Sequence, residues 1–282
     1  MAKTVLGIDV GGSTTKIVGC REENGKKVII APESVRATDP ITSIYGAFGK
    51  FTMQNGLALS DISRVMMTGV GSAFLSKPLY EGLDCRVVPE FDSVGRGGLY
   101  LSGLDEASVV SMGTGTALIH AKKSGDKTLI EYLGGTGVGG GTLVGLSRKI
   151  LGVDTFEHID HLATTGNLDN IDLRIRDISA KTLYPDVNHE LTASNFGKLS
   201  DLANQSDIAL GIVNMVGETI GMMAVFAARN YHLENVVMTG TLTTIEPIRR
   251  VFASMERTFG IRFLFPENAQ YGTVIGAALS DD

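Results

Sequence analysis

A glycine-rich turn near the N-terminus carries residue types that bind phosphate groups. Asp9 ends a predicted buried strand, and Gly11 and Gly12 follow it directly. Glycine lets backbone N–H groups approach an anion closely, and a carboxylate here suits Mg²⁺ bound beside nucleotide phosphates. An Asp that only hydrogen-bonds its own turn is the alternative. The hydroxyl and ammonium groups that follow strengthen the phosphate interpretation, and they belong to Ser13, Thr14 and Lys16.

Two further glycine-rich segments extend this pattern. Residues 113–116 read Gly-Thr-Gly-Thr and repeat the first turn in the second half of the chain. Residues 135–140 match GxGxxG, which is weak by itself. Because Asp160, at the spacing expected for a dinucleotide fold, falls inside a predicted helix, a nicotinamide site is disfavoured. We interpret this third loop as a phosphate cradle at a helix N-terminus. The chain contains no GxxxxGK[ST] motif, which disfavours a Walker-type NTPase.

A pair of carboxylates provides a candidate for proton transfer. Glu90 and Asp92 flank Phe91, ahead of another run of glycines. Phosphoryl transfer to an alcohol needs positioned phosphates, a metal and a carboxylate that accepts the hydroxyl proton. Either acid could supply that carboxylate. The alternative is a pair of acidic residues at a helix start, where the helix dipole favours negative charge.

The elements that must position these residues occur twice. Strand, Gly/Thr turn, strand, polar turn and strand appear at the start of the chain and again after Leu104. Two similar hairpins could arise by chance, but an internally duplicated fold with two halves facing across a cleft explains them together. The predicted strands are 4–10, 15–20 and 28–31, and then 107–112, 117–121 and 128–133.

Helices dominate the remaining prediction. The longest spans 207–231 and is apolar on nearly every face, which indicates a central helix packed on several sides. Alternation of strands and helices indicates an α/β protein. The other predicted helices are 40–55, 143–151, 156–164 and 273–279, and the other predicted strands are 65–68, 236–239 and 261–265.

Composition excludes several classes of protein. The net charge is −6 and no long Lys/Arg run occurs, so we expect no nucleic-acid partner. The most apolar stretch, 208–228, contains Glu218, which favours a buried helix over a membrane span. Cys20 and Cys85 are too few for a disulfide framework. We therefore expect a soluble, cytoplasmic protein. Glycine is in excess, at 35 of 282 residues, and backbone N–H groups in such loops bind anions without net positive charge.

In this order, the motifs resemble the acetate kinase/sugar kinase/heat-shock/actin superfamily and, within it, type II pantothenate kinases. The glycine motifs are shared across the superfamily, whereas the Glu-Phe-Asp motif and the Leu-Thr-Ala-Ser-Asn-Phe-Gly segment are more specific. The resemblance covers nearly the whole chain. The matching segments are 7–17, 89–92, 112–116, 134–141, 171–174, 191–197, 216–218, 237–240 and 276–278.

The resemblance implies a duplicated actin-like ATPase fold, of the ribonuclease H type, with two lobes around a nucleotide cleft. The expected lobes are 1–104 and 105–282. It also implies a homodimer in which long helices pack together. Glu90 matches the family's catalytic base. ATP and Mg²⁺ are the implied cofactors, and the implied nucleotide contacts are Asp9, Val10, Gly11, Gly12, Ser13, Thr14, Thr15, Lys16, Thr114, Gly140, Gly141, Thr142, Leu143, Val144, Phe156 and Thr241, with Asp9 as the metal ligand.

The implied reaction is ATP-dependent phosphorylation of the primary hydroxyl of pantothenate or pantetheine, the first step of coenzyme A biosynthesis. One position departs from the family. Many members have an arginine where this chain has Tyr132, and a phenol carries no fixed positive charge. Arg96 is a candidate to compensate. The alternatives are a sugar or amino-sugar kinase of the same superfamily, and a nucleotide-driven activator that holds an iron–sulfur cluster through cysteines.

Overall fold

Two five-stranded sheets form the centre of the computed structural model, which describes residues 3–12, 14–36, 39–74, 78–179 and 188–280. A two-stranded sheet accompanies them. The strands are β1 (Thr4–Val10), β2 (Thr15–Glu23), β3 (Lys26–Val35), β4 (Ile62–Thr68), β5 (Cys85–Val87), β6 (Glu106–Met112), β7 (Thr116–Ser124), β8 (Lys127–Thr136), β9 (Leu173–Arg174), β10 (Thr192–Ser194), β11 (Asn235–Thr239) and β12 (Arg262–Leu264).

Eight α-helices are described with these sheets. Short 3₁₀ turns follow β4 and β11, among others. The helices are α1 (Pro40–Gln54), α2 (Glu90–Ser102), α3 (Gly140–Leu151), α4 (Phe156–Thr164), α5 (Ile175–Ile178), α6 (Gln205–Asn230), α7 (Glu246–Phe259) and α8 (Gly272–Ala278).

The two large sheets share one topology. The first has the order β3-β2-β1-β4-β5 and the second has the order β8-β7-β6-β11-β12. In each, the first three strands in the chain are antiparallel, and the last two join in parallel. Identical order and direction in both sheets confirm the duplicated α/β fold predicted from the repeated hairpins.

Two helices cross between the halves. Helix α2 packs against β6, β7 and β8 of the second sheet, and α8 packs against β1, β2 and β4 of the first. The two helices also pack tightly on each other. A Cβ on Gly276 would overlap the carbonyl oxygen of Ser93, and one on Gly97 would overlap the carbonyl oxygen of Gly272. Glycine at both crossings lets the backbones approach this closely. The predicted lobe boundary at 104/105 stays a prediction.

Helix α6 is the centre of the second half's core. The Asn204 side chain caps its N-terminus by accepting hydrogen bonds from the backbone N–H groups of Ser206 and Asp207. The helix is long and apolar enough to cross a membrane, but 61% of its most apolar stretch is buried inside the protein. It packs against α3, α4 and α7. Burial of this kind is what the sequence predicts for a central core helix.

Helix α7 is the largest element that the sequence analysis does not predict. Its signal is present in the sequence: Pro247 lies in the first turn and Gly260 ends the helix in the left-handed region, with φ +69°. Residues Ile248, Val251 and Met255 recur at helical spacing and are buried.

Candidate active site

A cavity of about 930 Å³ lies between the two halves of the molecule. Both predicted phosphate turns and the third glycine loop line it, together with the candidate base. The structure thus brings together residues that lie far apart in the sequence. The predicted site residues that line the cavity are Asp9, Gly11, Gly12, Thr14, Lys16, Glu90, Thr114, Gly140, Gly141, Val144, Phe156 and Thr241.

Four other predicted contacts do not line the cavity. Val10 and Leu143 lie in the hydrophobic core, and Thr15 is buried on β2. The Thr142 hydroxyl is occupied within the third loop, where it donates to the Gly137 carbonyl at 3.0 Å. Ser13 lies outside the described residues. The predicted nucleotide contacts of these five residues stay predictions.

The first two glycine turns face each other across the cavity. Gly11 and Gly12 follow β1, and Thr114 follows β6, the equivalent strand of the second sheet. A Cβ on Gly12 would lie 3.5 Å from the Thr114 hydroxyl oxygen, which is ordinary van der Waals contact. The duplication of the hairpin therefore places one turn on each side of the same space.

Asp9 and Lys16 are neighbours across the β1–β2 pair. Burial raises the pKa of the Asp9 carboxyl, and the positive charge of Lys16 partly offsets that rise. Burial also lowers the pKa of Lys16, and Asp9 partly offsets that change. The Lys16 ammonium donates to the Gln270 carbonyl at 2.7 Å and to the Thr241 hydroxyl at 3.2 Å. Lys16 thus links the first sheet to loops of the second half.

Asp9 is the candidate metal ligand, and its surroundings suit a shared Mg²⁺ rather than an all-protein site. Its Oδ1 lies against Gly69, where a Cβ would come within 2.6 Å of that oxygen. No group of three or more His, Cys, Asp or Glu side chains that could hold a metal exists among the described residues. Magnesium near nucleotides is usually held by one or two carboxylates together with phosphates and water. A single cleft carboxylate fits that mode of binding.

Glu90 occupies the first position of α2 and points its accessible side chain into the cavity. A helix start ordinarily favours an ionised carboxylate. Here burial by the surrounding cleft, followed by the negative charge of Asp9, raises the pKa of Glu90 above its ordinary value. Asp92, two residues along the same helix, does not line the cavity. The geometry therefore favours Glu90 over Asp92 as the base.

The third glycine loop supports the second turn. At the start of α3, the N–H of Gly140 donates to the Gly113 carbonyl and the N–H of Gly141 donates to the Thr114 carbonyl, both at 2.8 Å. Because these two N–H groups already have partners, they are not free for a phosphate. Gly140 also lies beside the Phe156 ring. Contact of this loop with the nucleotide stays a prediction.

Several cavity residues were not named as nucleotide contacts, although some of them belong to the predicted glycine loops 113–116 and 135–140. Gly240, after β11, has φ +90°, and a Cβ there would lie 2.5 Å from the Met112 carbonyl oxygen. This close approach joins the ends of two parallel strands, which sequence spacing alone does not reveal. The further cavity residues are Arg36, Val70, Ser111, Gly113, Gly115, Thr116, Ala117, Tyr132, Gly135, Thr136, Gly137, Gly145, Arg148, Asp154 and Thr273.

Tyr132 lines the cavity and stacks on Phe91, with ring centroids 4.0 Å apart and planes 3° apart. Arg96, the candidate to replace a positive charge at position 132, is not among the residues that line the cavity. Its buried Nε has no hydrogen-bond partner.

Hydrogen bonds join two of the matching segments, 171–174 and 191–197, to helix α6. Asp172 is fully buried and accepts hydrogen bonds from the Phe196 backbone N–H and the Asn214 side chain, each at 2.8 Å. Burial raises the pKa of this carboxyl. The Asn195 amide donates to Glu218 at 2.9 Å. These contacts fasten the 171–174 and 191–197 segments to α6.

Two relatives found by sequence comparison match this chain over most of their length. A type II pantothenate kinase of Oceanobacillus iheyensis is 28% identical over 98% of this chain and 98% of its own. A type II pantothenate kinase of Staphylococcus saprophyticus is 29% identical over 84% of each chain.

Solved structures share the fold. The activator of 2-hydroxyisocaproyl-CoA dehydratase from Clostridium difficile, with bound ADPNP, has a TM-score of 0.65 and 21% identity, and the match covers 98% of this chain and 93% of that one. A ROK family glucokinase from Streptomyces griseus, in complex with glucose and AMPPNP, has a TM-score of 0.61 and 15% identity, and covers 98% of each chain. These similarities confirm the predicted actin-like, two-sheet fold.

The family model provides the assignment. The Fumble model matches residues 108–279, which include the second glycine turn, the third loop, α6 and α8. The sequence relatives and this match agree with the resemblance drawn from the motifs. The chain belongs to the Fumble family.

Proposed function

We propose that the protein transfers the γ-phosphoryl group of ATP to the primary hydroxyl of pantothenate or pantetheine, the first step of coenzyme A biosynthesis. The chain is a kinase, as its family and its relatives named type II pantothenate kinases indicate. The observation that carries the proposal is the position of Glu90 in the same cavity as the two facing glycine turns.

Glu90 accepts the proton of the acceptor hydroxyl. As that O–H bond breaks, the alcohol oxygen forms a bond to the γ-phosphorus and the bond from that phosphorus to the β,γ-bridging oxygen breaks, so ADP leaves with the electron pair. The raised pKa of Glu90 makes it a stronger base than an ordinary glutamate. The total charge is conserved: Glu90 becomes neutral as it takes the proton, and the acceptor gains the charge of the phosphoryl group that ATP loses.

The glycine turns position the triphosphate. The Gly11 N–H already donates to the Thr14 carbonyl at 3.1 Å, so this bond shapes the first turn rather than binding phosphate. Both turns line the cavity, and we expect the phosphates to lie in the part of the cavity that the turns border. Mg²⁺, when bound at Asp9, would neutralise phosphate charge. Lys16 provides a positive charge beside the first turn, and its bonds to Thr241 and Gln270 hold the two halves at this spacing.

An acceptor survey by ADP release tests the proposal. Purified protein is given ATP and Mg²⁺ with pantothenate, pantetheine, glucose or N-acetylglucosamine. We expect turnover with at least one pantoyl compound well above the rate without acceptor. Turnover with a hexose alone would assign the protein to the sugar kinases, and no turnover with either pantoyl compound would refute the proposal.

The burial of the cysteines gives little support to the alternative that the protein is an activator with an iron–sulfur cluster. Cys20 is 5% exposed on β2, so it is poorly placed to hold a cluster between subunits. Cys85 is partly exposed. Purified protein that contains iron in stoichiometric amount and hydrolyses ATP without an acceptor would favour the activator class instead.

A further inference from the structure

An aromatic pair lies directly beside the candidate base. Phe91 follows Glu90 on the first turn of α2, and Tyr132 reaches it from β8. The rings are nearly parallel, with centroids 4.0 Å apart. Although stacked, Phe91 stays 37% exposed and Tyr132 50% exposed. Because Tyr132 lines the cavity, its free aromatic surface is available for a ligand there.

Tyr132 presents an uncharged surface to the cavity, and Phe91, which is not among the residues that line it, stacks on the Tyr132 ring. The Tyr132 hydroxyl lies near Gly135, another cavity residue. Among the described residues, the cations that line the cavity are Lys16, Arg36 and Arg148. Two of them have partners: Lys16 bonds to Thr241 and Gln270, and the Arg148 Nε lies 3.9 Å from the Asp154 Oδ2. Arg36 directly follows β3.

We propose that Tyr132, held in place by its stack on Phe91, selects the acceptor by packing against an apolar, branched carbon next to the CH₂ group that carries the phosphorylated hydroxyl. This inference rests on the proposed function. In pantothenate and pantetheine that carbon carries two methyl groups. Glu90 and Tyr132 line the same cavity, and Tyr132 stacks on the residue that follows Glu90. We therefore expect an acceptor whose hydroxyl is held at Glu90 to place its adjoining carbon on the side of the cavity that carries Tyr132.

The same surface discriminates against hexoses. In a hexopyranose, the carbon next to the CH₂OH group carries the ring oxygen and adjoins a carbon that bears a hydroxyl. Burying these polar groups against an aromatic ring would remove water without supplying hydrogen bonds. Two methyl groups gain free energy from the same burial. The aromatic pair therefore provides a physical reason for a pantoyl acceptor, independent of any charge on the far end of that acceptor.

A comparison of two acceptors and three proteins tests the inference. The acceptors are pantothenate and the analogue in which both methyl groups are replaced by hydrogen. For the unmodified protein we expect kcat/KM to fall about tenfold or more on removal of the methyls. For Tyr132→Ala we expect kcat/KM to fall only about threefold or less on the same change of acceptor. Tyr132→Phe, which retains the ring, should keep the ratio of the unmodified protein.

The readout is the ratio of kcat/KM for the two acceptors, measured by ADP release, because a general loss of activity cancels in a ratio. Nucleotide affinity and the melting temperature of each variant check the fold. An equal ratio in the unmodified protein and Tyr132→Ala would overturn the inference while leaving the proposed function intact. Failure of the unmodified protein to phosphorylate pantothenate and pantetheine would overturn the proposed function, and this inference with it.

Discussion

Glu90 is the residue on which the chemistry depends. Its carboxylate stands at a helix start, which favours the ionised form, but the cleft and Asp9 raise its pKa. Both effects suit a general base: the helix start favours the ionised form, and the raised pKa lets the carboxylate bind a proton more readily than an exposed glutamate.

Replacement of this base should abolish most of the activity. We expect Glu90→Gln to lower kcat by about 10²- to 10⁴-fold, because the amide keeps the size of the side chain and cannot accept the proton. ATP affinity should change little. The matched control is Asp92→Asn, on the same helical turn and outside the cavity. Equal losses in both variants would contradict the role of Glu90.

The pH profile tests the same group. Because the base acts when ionised, activity should be lost as the pH falls through the pKa of Glu90. Burial and Asp9 raise that pKa, so the acidic limb of kcat/KM should lie above the ordinary glutamate value of 4.5. ADP release over a range of pH measures it. A profile that stays flat down to that value would contradict the raised pKa.

At the scale of residues, the glycine motifs predicted two facing turns, and both line one cavity. The residue types alone left both Glu90 and Asp92 open as the base; the family resemblance implied Glu90, and its role stays a prediction. Local motifs of this kind were predictable from the sequence. The bonds of Lys16 to Thr241 and Gln270 were not, because they join residues from opposite ends of the chain. The stack of Phe91 on Tyr132 depends in the same way on how α2 meets β8.

Among the elements, the crossing of α2 and α8 fixes the position of Glu90. Helix α2 carries Glu90 at its first residue and packs against α8, which in turn contacts β1. Some of the chain's many glycines therefore serve helix packing rather than phosphate binding. The glycine motifs alone do not separate these two uses.

Substitution of a crossing glycine should be costly. We expect Gly276→Ala to lower the free energy of unfolding by about 1–3 kcal/mol or more, because the methyl group would overlap the Ser93 carbonyl. The control is Gly46→Ala on α1, where a Cβ meets no atom within 4 Å. That change should be neutral or stabilising by up to about 1 kcal/mol. Denaturant unfolding measures both, and equal stability of the two variants would contradict the tight crossing.

Local sequence patterns predicted the type of each element that they identified, but not the length of every one. Strand β1 and helix α4 have the predicted bounds, since a glycine turn ends one and Thr155 caps the other. Strand β3 was predicted over 28–31 and spans Lys26–Val35. Its pairing with β2 stabilises residues that look polar and irregular in isolation.

At the scale of the whole molecule, the duplicated fold makes one cleft from two similar halves. Neither half holds the complete site: Asp9 comes from the first sheet, Thr114 from the second, and Glu90 from the helix that crosses between them. The repeated hairpin made this architecture predictable, whereas the exchange of α2 and α8 between sheets required the structure.

The predicted homodimer can be tested on α6. Met215, Thr219, Met222 and Phe226 recur at helical spacing and are not fully buried, and Phe226 is 61% exposed. We expect a dimer by light scattering after gel filtration, and Phe226→Glu should shift it towards monomer. Leu129→Glu, at an exposed site on β8, is the control. A monomer in the unmodified protein would contradict the prediction.

The central claim is that this cleft phosphorylates a pantoyl alcohol with Glu90 as base. Mass spectrometry of the acceptor after incubation with ATP and Mg²⁺ tests it most directly, with the unmodified protein and Glu90→Gln side by side. We predict that pantothenate or pantetheine gains one phosphoryl group with the unmodified protein and almost none with Glu90→Gln. An unchanged acceptor, or equal product from both proteins, would contradict the account.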